Sequence, residues 1–99
     1  MPIPLPEYPW QVIGSDLFEM KGSQYLLIVD YFSRFPEVVK LQATTSTALI
    51  SAFKSVLSRF GIPKILHSDN GPQFSSAEMQ QFTSSHGIKE ILAAHISPK

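Results

Sequence analysis

Two aspartates stand where an acid is costly. Asp16 falls within Gln11 to Phe18, a β-like stretch whose one parity carries Val12, Gly14, Asp16 and Phe18, so an acid sits on a mostly apolar face. Asp69 follows the short apolar strand Ile65-Leu66, inside His67-Ser68-Asp69-Asn70-Gly71-Pro72. An ionised carboxylate against apolar surface is unfavourable unless a cation or hydrogen bonds compensate it. Two carboxylates on neighbouring strands could share a hard cation. Mg²⁺ takes oxygen ligands in octahedral geometry and often uses one or two carboxylates with water and phosphate, which suits phosphoryl chemistry. Plainer roles stay open for both. Asp69 ahead of Asn70-Gly71 also fits an Asx-turn, and Asp16 a strand end or edge position. Asp30 closes the apolar run Tyr25 to Val29 just before the Tyr31 to Phe35 turn and reads as a structural strand-end acid.

Other polar groups carry less. His67, Ser68 and Asp69 do not make a hydrolase triad, because consecutive strand residues point to opposite faces. His67, His86 and His95 lack zinc-ligand spacing and there is no cysteine to complete a site, so no zinc site is expected. Asn70, Gly71 and Phe74 shape the loop after Asp69, with a well-formed turn and a core-anchored Phe74 as the plainer alternative. Lys54, Arg59 and Lys64 either meet phosphates or form a solvated face.

The elements that must position these residues follow from periodicity. Pro2, Pro4, Pro6 and Pro9 make residues 1–9 an extended proline-rich linker, and the domain proper, 10–99, begins near Trp10. Lys21-Gly22-Ser23 is a turn, and Tyr25 to Val29 reads as a central strand covered on both faces. A third strand runs from Glu37 to Leu41. The short connections favour an antiparallel meander, since parallel neighbours need a crossover of about a dozen residues. Thr44 to Phe60 switches to helical period, with Leu49, Phe53, Val56, Leu57 and Phe60 on one side. Thr44, Thr45 or Ser46 caps it, Gly61 ends it in the left-handed conformation, and Pro63 prevents continuation. Ser75 with Glu78 forms a capping box for a second helix carrying Met79 and Phe82 and ended by Gly87. Ile88 to Ala94 is the last strand. The order is β-β-β-α-β-α-β, an α/β fold.

Composition bounds the rest. With 99 residues there is room for one domain, and 43% hydrophobic with 16% charged residues is globular composition without a membrane-length apolar run. Eight Lys and Arg balance eight Asp and Glu, so no net charge draws the chain to nucleic acid or to an anionic membrane. The absence of cysteine excludes disulfides, and the start is not a secretory signal, so an intracellular location is the expectation.

Four blocks in order carry a resemblance: Pro9 to Asp16, Tyr25 to Phe35, Ser58 to Lys64 and His67 to Phe74. Together they resemble the integrase catalytic core of gypsy-type long-terminal-repeat retrotransposons and retroviruses, over nearly all of Trp10 to Lys99. The resemblance implies a ribonuclease-H-like fold with a mixed five-stranded sheet. It implies a D,D,E motif holding Mg²⁺ or Mn²⁺, in which Asp16 matches the first acid and Asp69 the second. The cations activate water or a DNA 3′-hydroxyl and stabilise the leaving oxygen in phosphodiester attack. A phospho-acceptor receiver domain, the reading outside this family, does not suit the antiparallel meander.

The third acid departs from the pattern: the family places its Glu roughly 35 residues beyond the second Asp, past Lys99, and metal chemistry needs that ligand directly on the cation. Glu78 and Glu90 are too near in sequence to substitute. The C-terminal helices that cover the sheet in the family are also missing, which implies exposed apolar surface and self-association. The expectation is therefore an integrase-core-like polynucleotidyl transferase domain acting in DNA integration in the intact family, weak in metal and not active alone as this chain. The alternative is a degenerate or domesticated module that binds nucleic acid or protein without turnover. DNA is the expected partner, with no membrane and no small-molecule cofactor, and the location is nuclear when acting on DNA.

Overall fold

The computed structural model describes residues 5–69 and 71–93. The expectations placed on Asn70, on Pro2 and Pro4, on Ala94 and on His95 lie outside the described residues. Among the described residues seven elements follow one another in the order read from the sequence: β1 (Val12–Met20), β2 (Ser23–Asp30), β3 (Pro36–Lys40), α1 (Ser46–Phe60), β4 (Ile65–Asp69), α2 (Ala77–Ser85) and β5 (Lys89–Ala93). They form one sheet of order β3-β2-β1-β4-β5. The first three strands are an antiparallel meander, while β4 lies parallel to β1 and β5 parallel to β4. Each parallel step uses a helix as its crossover, as parallel neighbours require.

Both helices pack on one face. Val12 to Met20 alternates so that Ile13, Ser15 and Leu17 share a side with Leu26 and Ile28 of β2 and Leu66 of β4. Against them lie Leu49, Phe53, Val56 and Leu57 of α1 and Met79 and Phe82 of α2, in one continuous core. α1 begins at Thr45, whose hydroxyl accepts the Ala48 N–H at 3.1 Å, and stops at Gly61, whose φ of 100° suits glycine and whose N–H donates to Leu57 O.

Three expectations are corrected. The Tyr25 to Val29 strand is not covered on both faces: Leu26 and Ile28 are buried, but Tyr25, Leu27 and Val29 are only half-buried, because both described helices lie on the other side. The strand after α1 does not end at Leu66. Pairing with β1 on one side and β5 on the other extends it through His67 and Ser68 to Asp69, overriding the turn propensity of those residues. The cap of α2 is Ser76 rather than Ser75, with its hydroxyl accepting the Met79 N–H, while Ser75 instead closes the preceding turn by donating N–H and Oγ–H to Gly71 O.

The opposite face of the sheet carries Phe18, Tyr25, Leu27 and Val29, which are half-buried, and the exposed Val38, so the apolar surface expected from the sequence is only partly open. Phe18 and Tyr25 stack across β1 and β2 with ring centroids 5.3 Å apart. Among the described residues no helix is long and apolar enough to cross a membrane.

Candidate active site

The register between β1 and β4 brings the two sequence-predicted acids together. Val12 pairs with Ile65, Ile13 with Leu66, Gly14 with His67 and Ser15 with Ser68. Asp16 and Asp69 are the next residue on each strand. In a parallel pair the same step keeps both side chains on one face, with the backbones about 4.8 Å apart. Both carboxylates therefore lie on the open face, at the point where the β1–β4 ladder ends and β1 runs on to Met20 with β2 alone. A parting of this kind at the carboxyl end of a parallel strand is where open α/β sheets bind their ligands.

The loop after β4 is tied to Asp69. Its Oδ1 accepts the Gly71 N–H at 3.1 Å, an Asx-turn, so the turn role read as an alternative is present together with the placement beside Asp16. A Cβ at Gly71 would come within 3.1 Å of that same oxygen, a tight contact that the exposed Asp69 side chain would have to yield to. Phe74 is buried in the core and anchors the loop from below, as in the plainer reading of that residue. Asp16 Oδ1 accepts the N–H of Leu17 at 2.9 Å. Both acids are exposed, which corrects the premise that apolar burial makes them costly: the sheet's edge of pairing, and not its interior, carries them.

One row below the acids lie residues to which the sequence reading gave no role at the site. Gly14 and His67 are register partners, and the Tyr31 ring rests on Gly14 with its hydroxyl 3.2 Å from His67 Nδ1. Burial pushes the Tyr31 phenol above its ordinary value, so it stays neutral. The signal was available in parity: Gly14 is two residues from Asp16 and His67 two from Asp69, so each pair had to share a face. Tyr31, reaching in from a turn, had no such signal. Gly14, Ser15, Asp16, Leu27, Val29 and Tyr31 line a shallow depression of about 150 Å³ beside this row.

The family model for the integrase core domain matches residues 6–98. The chain belongs to that family. This integrase core is 41% identical over 98 residues to the Gag-Pol polyprotein of gibbon ape leukemia virus, covering 91% of the chain and 6% of the polyprotein. It is 36% identical over 69 residues to the retrovirus-related Pol polyprotein from the Drosophila melanogaster transposon opus, covering 70% of the chain and 7% of that protein. The solved HTLV-2 integrase catalytic core domain in complex with magnesium, in its dimeric form, superposes with a TM-score of 0.74 at 35% identity. The alignment covers 85% of this chain and 61% of that one. The chain thus spans a small part of the polyproteins it matches, and the mixed five-stranded sheet is the ribonuclease-H-like fold of integrase cores.

Against that fold, the other acids separate cleanly. Asp30 is buried, and its carboxylate accepts the N–H groups of Trp10, Phe32 and Ser33 and the Ser33 hydroxyl, the structural role read from the sequence. Glu90 pairs with Leu66, so it projects to the helix-covered face, away from Asp69, and its Oε2 is buried without a hydrogen-bond partner. Glu78 is exposed in the first turn of α2. Among the described residues no group of three or more His, Asp or Glu side chains gathers to hold a metal. Asp16 and Asp69 are both exposed acids at the end of the β1–β4 ladder, and carboxylate oxygens are donors of the kind a hard cation takes.

Two of the cations read as phosphate contacts have other surroundings. Arg59 pairs with Glu37 at 3.3 Å and lies over the Phe60 ring, and Lys54 lines a cleft between α1 and α2 with His86 and Phe82. Ser68, buried at 1% exposure, points away from His67 and Asp69, as strand alternation demands, so those three residues do not form a triad.

Proposed function

We propose that this integrase core serves metal-dependent phosphodiester strand transfer on DNA, with Asp16 and Asp69 as two of its cation ligands. The observation that supports the reading is the parallel register that sets the two carboxylates side by side on the open face, at the end of the β1–β4 ladder. A divalent cation bound there supplies Lewis-acid activation of the attacking oxygen and charge stabilisation of the leaving one. The chain's own residues perform the holding. The Gly71 N–H fixes Asp69 Oδ1, leaving Oδ2 as the acceptor for a cation, and Phe74 in the core keeps the loop from drifting. The third acid of the D,D,E pattern is not among the described residues, so turnover is proposed for a chain that includes it and cation holding for this one. DNA as substrate, self-association through the open apolar face, and action in the nucleus belong to the same reading. The magnesium complex and dimeric form of the HTLV-2 core support the cation and the self-association.

The test is the affinity of the chain for a short DNA duplex with and without Mn²⁺. Mn²⁺ is expected to tighten binding, and Asp69→Asn or Asp16→Asn to remove that gain while leaving the metal-free affinity in place. An equal gain in both variants would take the carboxylates out of the site.

A further inference from the structure

The two rows of the β1–β4 ladder have different chemistry. Gly14 with His67 is a paired row, and Asp16 and Asp69 lie two residues on, just beyond the last pair, on the same open face. The chain leaves β2 at Asp30, and the Tyr31 N–H donates to Val12 O at 3.0 Å, which fixes the tyrosine backbone against β1. The ring then lies across Gly14. A Cβ at that position would overlap the hydroxyl and sit 2.6 Å from Cε1 and 2.7 Å from Cζ, so glycine is what lets the ring settle there. From that seat the phenol reaches over β1 to His67 Nδ1 at 3.2 Å.

This bond decides where the imidazole carries its hydrogen. A neutral phenol has one O–H to donate, and the described residues offer it the His67 ring nitrogen as acceptor. A phenol O–H is also far more acidic than an imidazole N–H, so phenol to nitrogen is the stronger sense of the bond. When Nδ1 accepts, the hydrogen of the neutral ring must be on Nε2. A donor on the face that carries the two carboxylates has an evident use, since it can hold a phosphodiester oxygen that the carboxylates themselves cannot bind.

We propose that Tyr31, seated on Gly14, holds His67 as its Nε2–H tautomer, so that His67 offers that N–H to a DNA phosphate oxygen on the face that carries Asp16 and Asp69. The phosphate role rests on the reading of this chain as a DNA-processing core, whereas the tautomer does not. Tyr31 and Gly14 are positioning residues here, acting through His67.

Two measurements on the full chain test it. Imidazole ¹⁵N spectra should show His67 as the Nε2–H form, and Tyr31→Phe, which keeps the ring and removes the hydroxyl, should return it to a mixture of tautomers. Gly14→Ala should do the same by displacing the ring. An Nδ1–H form in the unsubstituted chain, or a spectrum indifferent to Tyr31→Phe, overturns the tether. In duplex-DNA binding, His67→Ala should weaken affinity about fivefold, the size of one lost hydrogen bond, and His67→Gln, which retains an N–H donor, should recover most of it. Equal losses in both variants, or none in either, overturn the phosphate role. If the unsubstituted chain binds no duplex at all, the DNA reading fails and takes the phosphate role with it, while the spectra still decide the tether.

Discussion

The buried carboxylate of Asp30 accepts the backbone N–H of Trp10 at 3.0 Å, clasping the start of the domain to the end of β2. The same tryptophan donates its indole N–H to Gly61 O at 2.8 Å and packs on Phe60 with centroids 5.0 Å apart. Gln11 O next along accepts the N–H groups of Lys64 and Ile65, so one short segment ties together β2, the end of α1 and the start of β4. The segment leads directly into β1, which carries Asp16, and holds the start of β4, which carries Asp69, so the clasp is part of what holds the site in register.

The clasp has a pH signature. Burial raises the Asp30 carboxyl, but hydrogen bonds from the Ser33 hydroxyl and from the N–H groups of Trp10, Phe32 and Ser33 outweigh it and hold the group below its ordinary value. The unfolded chain then takes up the proton more readily. Stability from Asp30 is therefore fully present above the ordinary carboxylate value and is lost as pH falls toward the lowered folded one. Urea midpoints measured below about pH 5 should fall more steeply for the unsubstituted chain than for Asp30→Asn. Asp30→Ala should cost about 2 kcal/mol at neutral pH, because several N–H groups lose their acceptor. Trp10 is the single tryptophan, so its emission reports the clasp directly. A red shift at neutral pH in Asp30→Ala is the expected result.

Glu90 titrates in the opposite sense. Burial pushes its carboxyl above the ordinary value and outweighs the lowering effect of a hydrogen bond from the Thr83 side chain, while Oε2 is buried without a partner. The folded chain prefers this group neutral, so its contribution to stability is lost as pH rises through the raised value. Glu90→Gln should stabilise the chain at neutral pH and remove that part of the pH dependence, read from thermal midpoints at pH 5 and 8. A midpoint lowered at pH 8 would show that the charge is compensated.

Phe74 couples the core to the loop after Asp69. Its removal as Phe74→Ala should cost about 3–5 kcal/mol, a large share of the stability of a domain this size. Phe74→Leu should fold and still loosen the loop. Faster amide exchange at Gly71 in that variant, with exchange in α1 unchanged, is the expected observation.

Much of this was legible in the sequence because periodicity is a local signal. The helical spacing of Leu49, Phe53, Val56 and Leu57, the cap at Thr45 and the stop at Gly61 and Pro63 all appear as read. The length of β4 was not legible, since His67-Ser68-Asp69 has turn composition and is held extended by strands remote in sequence. Nor was the one-sided burial of β2, because Tyr25 to Val29 is apolar on both parities and only the placement of the helices distinguishes them. At the site, the two acids were legible as oddities of composition. Their adjacency needed the β1–β4 register, and Tyr31 needed the shape of a turn.

The most direct test of the account is paramagnetic broadening by Mn²⁺ in the nuclear magnetic resonance spectrum of the chain. The account predicts that the signals of Asp16 and Asp69 broaden together at substoichiometric Mn²⁺, that Mg²⁺ competes the effect away, and that Asp69→Asn abolishes it at both positions. Broadening of only one of the two, or broadening that survives Asp69→Asn, would contradict a shared cation site on the open face.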